Sequence, residues 1–355
     1  VLPRYLYGAG YNVGGAVGDG TQINRSSPVQ VGSDTNWSKI SARNGNFSTA
    51  IKSDGTLWSW GINSGGQLGQ NDRVARSSPT QIGALTTWLD VSTQYSAAVA
   101  LKTDGTLWSW GTNGSGQLGQ NVSFTTYRSS PVQIGALTTW SKIGTGYFHG
   151  FAIKTDGTLW AWGNNSYGGL GLNDVENRSS PVQVGALTTW LNVSSGYLFS
   201  SAIKTDGTLW IWGYGGFGQL GQNDATSRSS PIQVGALTNW SKISLAYYNA
   251  AAIKTDGTLW LWGQSNYGQQ GFNNTATTSS PVQLGSSTWS VVNSSGSFTS
   301  AIKTDGTLWT WGQGTFGQLA INTNTDRSSP VQVGSKTTWT QVSNGSSIFI
   351  SIATS

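Results

Sequence analysis

A hairpin of nearly constant wording recurs along the chain, and its spacing constrains the fold more than any other feature. Its clearest copy reads Ala202-Ile203-Lys204-Thr205-Asp206-Gly207-Thr208-Leu209-Trp210-Ile211-Trp212-Gly213. The Asp-Gly pair returns at 54/55, 104/105, 156/157, 206/207, 256/257 and 305/306, in steps of 50, 52, 50, 50 and 49 residues. A fixed period of this size marks a repeat architecture, in which each unit buries its apolar face only against its neighbours. The repeat fills the 355 residues without a linker. Residues 1–355 therefore read as one domain, although length alone would suit two or three.

One period, from Trp190 to Gly235, holds four predicted strands, at 190–194, 201–204, 208–213 and 231–234. Gly207 supplies the positive φ that a tight hairpin needs, and the Asp206 side chain can bond back to the turn backbone. Pro231 opens the fourth strand, where a missing N–H is tolerated. The third strand is apolar on both sides, as expected of a sheet covered on both faces. With 49 Gly, 19 Trp and Glu176 as the only glutamate, the composition disfavours helix and suits strands. Four strands in each ~50 residues make a β-propeller blade. All Trp fall in two slots, the start of the first strand and the Trp-x-Trp-Gly of the third, and are assigned to packing between blades.

The ends set the blade count. Leu6 to Gly18 aligns without gaps on Leu57 to Gly69, so the chain begins within a third strand, with Tyr7 and Ala9 in the Trp slots. It ends on a first and a second strand, 339–342 and 350–355. The expected fold is an all-β, seven-bladed propeller of four-stranded blades. Its closing blade is split between 339–355 and the N-terminal strand near 5–10, which pairs otherwise open edges. The chain opens on Val1 without an initiator Met; we read it as a processed or partial product.

Several functions are disfavoured by what the chain lacks. It has no Cys, hence no disulfide, thiol nucleophile or Cys metal site. The net charge of +5 is spread over repeat positions without a basic run, unlike a nucleic-acid footprint. No apolar run reaches the roughly 18–20 residues of a membrane span. Polar loops such as Asp72–Ala75 and Asp174–Asn177 lack the acidic density of a Ca²⁺ loop, so neither metal nor cofactor is expected. The single histidine, His149, stands beside no marked nucleophile, and the chain reads as non-enzymatic.

Three stretches carry a family likeness. They are Trp58-Ser59-Trp60-Gly61-Ile62-Asn63-Ser64-Gly65-Gly66-Gln67-Leu68-Gly69, then Pro79-Thr80-Gln81-Ile82, and Ile143-Gly144-Thr145-Gly146-Tyr147-Phe148-His149-Gly150-Phe151-Ala152-Ile153. They resemble the regulator-of-chromosome-condensation type repeat, and the likeness runs the length of the chain. It implies a seven-bladed propeller with a split closing blade. The family's His slot holds His only at His149, and reads Ala97, Phe199, Asn249, Phe298 and Ile348 in other copies. The nuclear namesake is a nucleotide-exchange factor that works through an inserted loop wedge and a basic tail. Neither is present in this chain, so exchange activity is not carried over. The near-identity of the copies is more similar to bacterial or viral members, one of which inhibits β-lactamases through an aromatic-rich face.

Differences between the copies locate the candidate site. If the first strand runs up, the Asp-Gly turns lie on the bottom and repeat almost verbatim. The loops after the first and third strands lie on top and vary. The top carries most of the Tyr and Phe, a composition suited to recognition from a rigid scaffold. The slot of Tyr167, Phe217, Tyr267 and Phe316 is regular and reads as structural. The candidate binding residues are Tyr95, Tyr147, Phe148, His149, Tyr197, Leu198, Tyr247 and Tyr248. Two charge rings accompany them. The turn lysines are expected to neutralise the turn aspartates, and Arg25, Arg76, Arg128, Arg178, Arg228 and Arg327 to tie down the long loops or ring an anion. The expected function is recognition of a protein partner, or a structural role, on a cell, secreted or virion surface. A multivalent glycan-binding propeller is the alternative, and self-assembly or incorporation into a larger particle a third.

Overall fold

In a computed structural model describing residues 2–43 and 46–355, each Asp-Gly turn is wired to the strand that follows it. Asp206 Oδ1 accepts from the Thr208 backbone N–H (2.9 Å) and hydroxyl (2.6 Å), and that hydroxyl oxygen accepts from Trp210 Nε1 (2.9 Å). The relay recurs from Asp54, Asp104, Asp156, Asp256 and Asp305. Gly207 closes its turn at φ 77°, and a Cβ there would lie 2.1 Å from the Thr238 carbonyl oxygen. Beyond the threonine bonds, the charge of each turn lysine lowers the pKa of its aspartate, as expected, but among the described residues the two form no ion pair. Lys204 Nζ lies 3.6 Å from the Trp210 ring centre and 5.0 Å from that of Trp190, and its counterparts in the other turns do likewise. The stems cover indole surface while the charge faces the rings.

The strands Trp190–Ser195, Phe199–Lys204, Leu209–Gly213 and Arg228–Gln233 pair antiparallel in chain order. The fourth begins three residues before Pro231. Its register skips between Gly213–Arg228 and Ile211–Ile232, so the proline occupies an irregular stretch of an outermost strand, where no ladder N–H is required. Sheets of the same order start at Trp37, Trp88 and Trp140. A seven-stranded sheet follows, because Thr278–Ser295 continues for 18 residues and pairs first with Thr258–Gly263, then with Phe298–Lys303. Here Gly285 and Trp289 are separated by three residues, against four between Gly235 and Trp240, and no turn interrupts the strand. The sixth sheet joins the two ends in the order Arg25–Gln30, Arg4–Gly10, Ile348–Thr354, Trp339–Asn344. First strands touch one another in succession, and Trp339–Asn344 also touches Trp37–Ser41. The whole is an all-β, propeller-like arrangement of repeated four-stranded sheets.

The 19 tryptophans sort into three kinds. Those opening first strands are buried and meet the third-strand rings at steep angles, as Trp190 does with Trp210 (6.3 Å, 83°). Those of the Trp58 kind are half-buried under lysine. Those of the Trp60 kind are fully buried and donate Nε1 to a loop carbonyl of the preceding unit. Examples are Trp110 to Gln67 O (2.9 Å), Trp162 to Gln117 O (3.0 Å) and Trp262 to Gln219 O (2.8 Å). A second set of ties girdles the axis. Backbone N–H groups of Thr93, Leu245, Ser294, Asn344 and Ala42 donate to the side chains of Ser41, Ser194, Ser244, Asn293 and Ser343 of the preceding first strand. Gly144, at the same strand position, has no side chain to offer.

Trp110→Phe orphans a buried carbonyl and opens a cavity, and is expected to cost about 2 kcal/mol of unfolding free energy. Trp108→Phe, at a half-exposed ring, is expected to cost under about 1 kcal/mol. Equilibrium denaturation of the two variants checks the order, and equal losses would refute it.

Candidate functional site: an aromatic face over the axis

The loops between first and second strands lean on one another around the axis. The backbone N–H of Tyr147 donates to Gly196 O (3.2 Å) and that of Tyr197 to Ala246 O (3.2 Å), each crossing to the next unit. This brings together rings from four units. Tyr95 stacks on Tyr147 (5.2 Å, 19°), and Tyr147 meets Tyr197 (4.9 Å) and Tyr247 (4.7 Å). Phe148 lies 6.0 Å from both Tyr95 and Tyr197. Tyr248 meets Tyr197 at 5.7 Å.

These residues differ in access. Tyr95 is exposed, while Phe148, Tyr197, Leu198, Tyr247 and Tyr248 are half-buried. Tyr147 is 3% exposed and its hydroxyl lies 3.0 Å from Ser346 Oγ, so it caps the axis from beneath the surface rings. Burial raises the Tyr247 hydroxyl above its ordinary pKa, against a weaker opposing bond with Ser346.

His149 is not at the surface, contrary to its place among the candidate binding residues. It is 1% exposed, with Nε2 2.9 Å from Ser200 Oγ. The Ser200 hydroxyl donates to Gly169 O (2.9 Å), so it accepts from the histidine, whose Nε2 carries the proton. An imidazole in that tautomer is no base toward this serine. Burial lowers the His149 pKa to about 4.

Two aromatic residues outside the expected set, Tyr167 and Tyr214, complete an outer cleft, and Phe217 packs behind it. Tyr214 meets Tyr248 (5.9 Å) and Tyr167 (5.0 Å), and Phe217 meets Tyr248 (4.7 Å). A cleft of about 470 Å³ is lined by Phe148, Tyr167, Tyr197, Leu198, Tyr214 and Tyr248, with Ser115, Asn164 and Ser166 as its polar side. Tyr167 is 46% exposed, so its regular slot is not simply packing. Tyr214 follows Trp-x-Trp-Gly directly, in a slot that reads Tyr11, Ile62, Thr112, Asn164, Gln264 and Gln313 elsewhere. That variation is the signal that marks it.

Elsewhere the surface is paired or repeated. Arg25, Arg76, Arg178 and Arg228 bind Asp19, Asp72, Asp174 and Asp224 at 2.6, 2.6, 2.5 and 2.8 Å, so these four serve their own loops rather than an anion. Among the described residues no three His, Asp or Glu side chains gather as metal ligands. No helix is long and apolar enough to cross a membrane. Similar pockets of about 330 and 350 Å³ recur at two junctions between units. One has Trp190, Trp210, Leu187, Asn173 and Pro231, the other Trp88, Trp108, Leu85, Asn71 and Pro131.

The buried histidine has a pH signature. The unfolded chain takes up its proton near 6.5 and the folded chain near 4. Its contribution is therefore complete above 6.5 and is lost as pH falls through that window, on the order of 3 kcal/mol in all. The Thr208 hydroxyl holds Asp206 below its ordinary value, so the turn carboxylates titrate at lower pH. His149→Phe with Ser200→Ala copies the Phe199–Ala250 pair of the next junction. Chemical denaturation at pH 7 and pH 4.5 should show the wild type losing more stability than this variant, and identical losses would remove the assignment.

Known structures share the fold. Human WBSCR16 superimposes with a TM-score of 0.88 at 19% identity, over 99% of each chain. Yeast RCC1 (Prp20), solved bound to Kap60, gives 0.89 at 18% identity, over 100% of this chain and 89% of that one. Prp20p from Saccharomyces cerevisiae, whose report also describes binding to Gsp1p and histones, gives 0.86 at 18%, over 100% and 92%. Residues 4–296 match the model of the RCC1-like domain and residues 305–352 that of the regulator of chromosome condensation (RCC1) repeat, and the chain accordingly belongs to the RCC1-like family.

Proposed function

We propose that the chain is a closed seven-bladed propeller that recognises a protein partner through its aromatic face and performs no catalysis. The ring reading is supported by seven first-strand tryptophans and by the pairing of Arg4–Gly10 with Ile348–Thr354. One observation carries the binding reading: half-exposed Tyr and Phe rings form one contiguous cluster around a cleft, on the face where the copies differ. Large, stiff rings that bury area at low entropy cost are what protein interfaces use as anchors. The structural neighbour Prp20 is a protein-binding propeller, with Kap60, Gsp1p and histones named for it, which favours this class without naming a partner here. The low charge and absence of Cys suit a secreted, cell-surface or virion setting.

Affinity capture from the source material tests this. Tyr197→Ala and Tyr248→Ala are each expected to cost about 2 kcal/mol, roughly thirty-fold in Kd. Leu137→Ser, at an exposed leucine of a lower turn, should leave binding intact. Partner retention by both Tyr variants would overturn the reading.

The glycan alternative is favoured by a different observation, the recurrence of a Trp-lined pocket at two junctions. Stacking of sugar rings on the half-buried Trp108 and Trp210 would be repeated, and hence multivalent. On a glycan array this predicts retention that falls by more than tenfold when Leu85→Arg and Leu187→Arg are combined. A blank array with the wild type would eliminate it.

A further inference from the structure

The axis holds a cation without a counter-charge. Arg43 follows the first strand of its unit and reaches across the axis to the junction where Gly144 leaves the girdle open. Its Nη1 lies 3.4 Å from Thr145 O and 3.3 Å from Ser195 O, and its Nη2 3.2 Å from Ser194 Oγ. These bonds are long and all end on neutral oxygens. Among the described residues no carboxylate lies within ion-pair distance of Arg43. Arg43 is half-buried, and that burial pulls its pKa down to about 10.

A polar cavity of about 200 Å³ adjoins the guanidinium, lined also by Ser41, Ser92, Asn293 and Ser343. It shares Asp90, Ile143 and Val193 with a vestibule of about 400 Å³ on the side away from Tyr147. That mouth is positive. Lys39 and Lys142 line it against one acid, Asp90, and Lys242 takes the same third position of its own first strand. Asp90 lies 3.8 Å from Lys39 and accepts from the Val91 N–H (3.0 Å). Lys142 bonds to Leu191 O and Asn192 Oδ1, and Lys242 to Ser290 O, so neither meets a carboxylate.

We propose that the axial cavity is a binding site for a small oxyanion, which enters between the lysines of the lower mouth and pairs with Arg43. A planar guanidinium fork matches two oxygens of one anion. A half-buried charge is tolerated best when paired, and a positively lined cleft concentrates anions. The Ser343 hydroxyl, which accepts from the Ala42 N–H, can donate into the cavity, and the Asn293 amide supplies a further donor. The volume suits phosphate, sulfate or a small carboxylate. This site lies beneath the aromatic cluster and shares no lining residue with its cleft, so it stands or falls separately from partner recognition.

Thermal unfolding of the full chain tests the site at constant pH and ionic strength, with chloride replaced stepwise by phosphate in one arm and by acetate in the other. Phosphate strengthens burial in any protein, so the readout is the saturable part of the curve. The wild type is expected to gain about 2–4 °C with a millimolar midpoint in at least one arm. The arm that saturates tells phosphate from carboxylate. Arg43→Met keeps the stem and removes the charge, and is expected to abolish the saturable part while leaving the general slope. Lys142→Met, at the mouth, should move the midpoint several-fold upward, and serves if Arg43→Met does not fold. Absence of saturation in both wild-type arms, an unaltered curve in Arg43→Met, or an unmoved midpoint in Lys142→Met would each overturn the proposal.

Discussion

The bond from the second tryptophan of a third strand to a loop carbonyl of the preceding unit holds together sheets that share no strand. It demands a large, fully buried indole and a loop that comes close enough to accept from it. The glycine at the end of Gln-Leu-Gly provides that approach. A Cβ on Gly69 would lie 2.9 Å from Trp110 Nε1, and one on Gly221 2.9 Å from Trp262 Nε1. One junction departs from the rule on both sides at once. Ala9 stands in the tryptophan slot of the sheet that joins the termini, and the glycine of the facing loop has become Ala320. Both are buried in the same apolar cluster. Removing the indole made room for a methyl group, so the two substitutions are one packing event.

That junction also replaces the lost bond. Asn293 takes a girdle position where the other units have serine or glycine, and Asn344 the position next to it, which reads Ala42, Thr93, Thr145, Ser195, Leu245 and Ser294 elsewhere. Asn344 donates to Asn293 twice, from its backbone N–H to Oδ1 (2.9 Å) and from Nδ2 to the carbonyl (2.8 Å). Its own Oδ1 accepts from Ser300 (2.7 Å). Tyr7 likewise stands in for the half-exposed tryptophan, meeting Trp339 edge-on at 5.3 Å beneath Lys336. The seam where the two ends meet thus exchanges one indole contact for an amide pair and a tyrosine.

The architecture was readable because its causes are local and repeated. A turn needing positive φ, a strand apolar on both faces and a tryptophan every half-unit leave marks that six or seven copies average into a clear pattern. The candidate site was only half readable. Variation between copies shows which positions the sheet leaves open, but not whether a side chain turns inward. Tyr147 and Tyr197 occupy equivalent slots, yet one caps the axis and the other reaches the cleft. His149 was drawn into the candidate set by its neighbours in sequence. Its true context is Ser200 in the next unit, just as Phe47 faces Ala98 and Phe199 faces Ala250 in shared apolar clusters. Partners 50 residues away decide that slot, and a single copy read alone does not display them.

Arg43 follows from the same asymmetry. A ring of equivalent strands cannot close symmetrically around one charged side chain, because only one fits on the axis. The fold accommodates it by leaving Gly144 bare at the junction it reaches, and a Cβ there would meet Val193 Cγ1 at 2.9 Å. Tyr147 closes the axis on the side of the aromatic face. The cavity beside the guanidinium adjoins the lysine-bearing mouth. The repeated scaffold thus carries two unlike surfaces, an aromatic one above and an electrostatic one below, separated by a girdle of backbone-to-side-chain bonds. That girdle ties five successive pairs of first strands and is open at Gly144. Occupancy of the axial cavity is expected to change the stability of the tied units rather than the shape of the face above them.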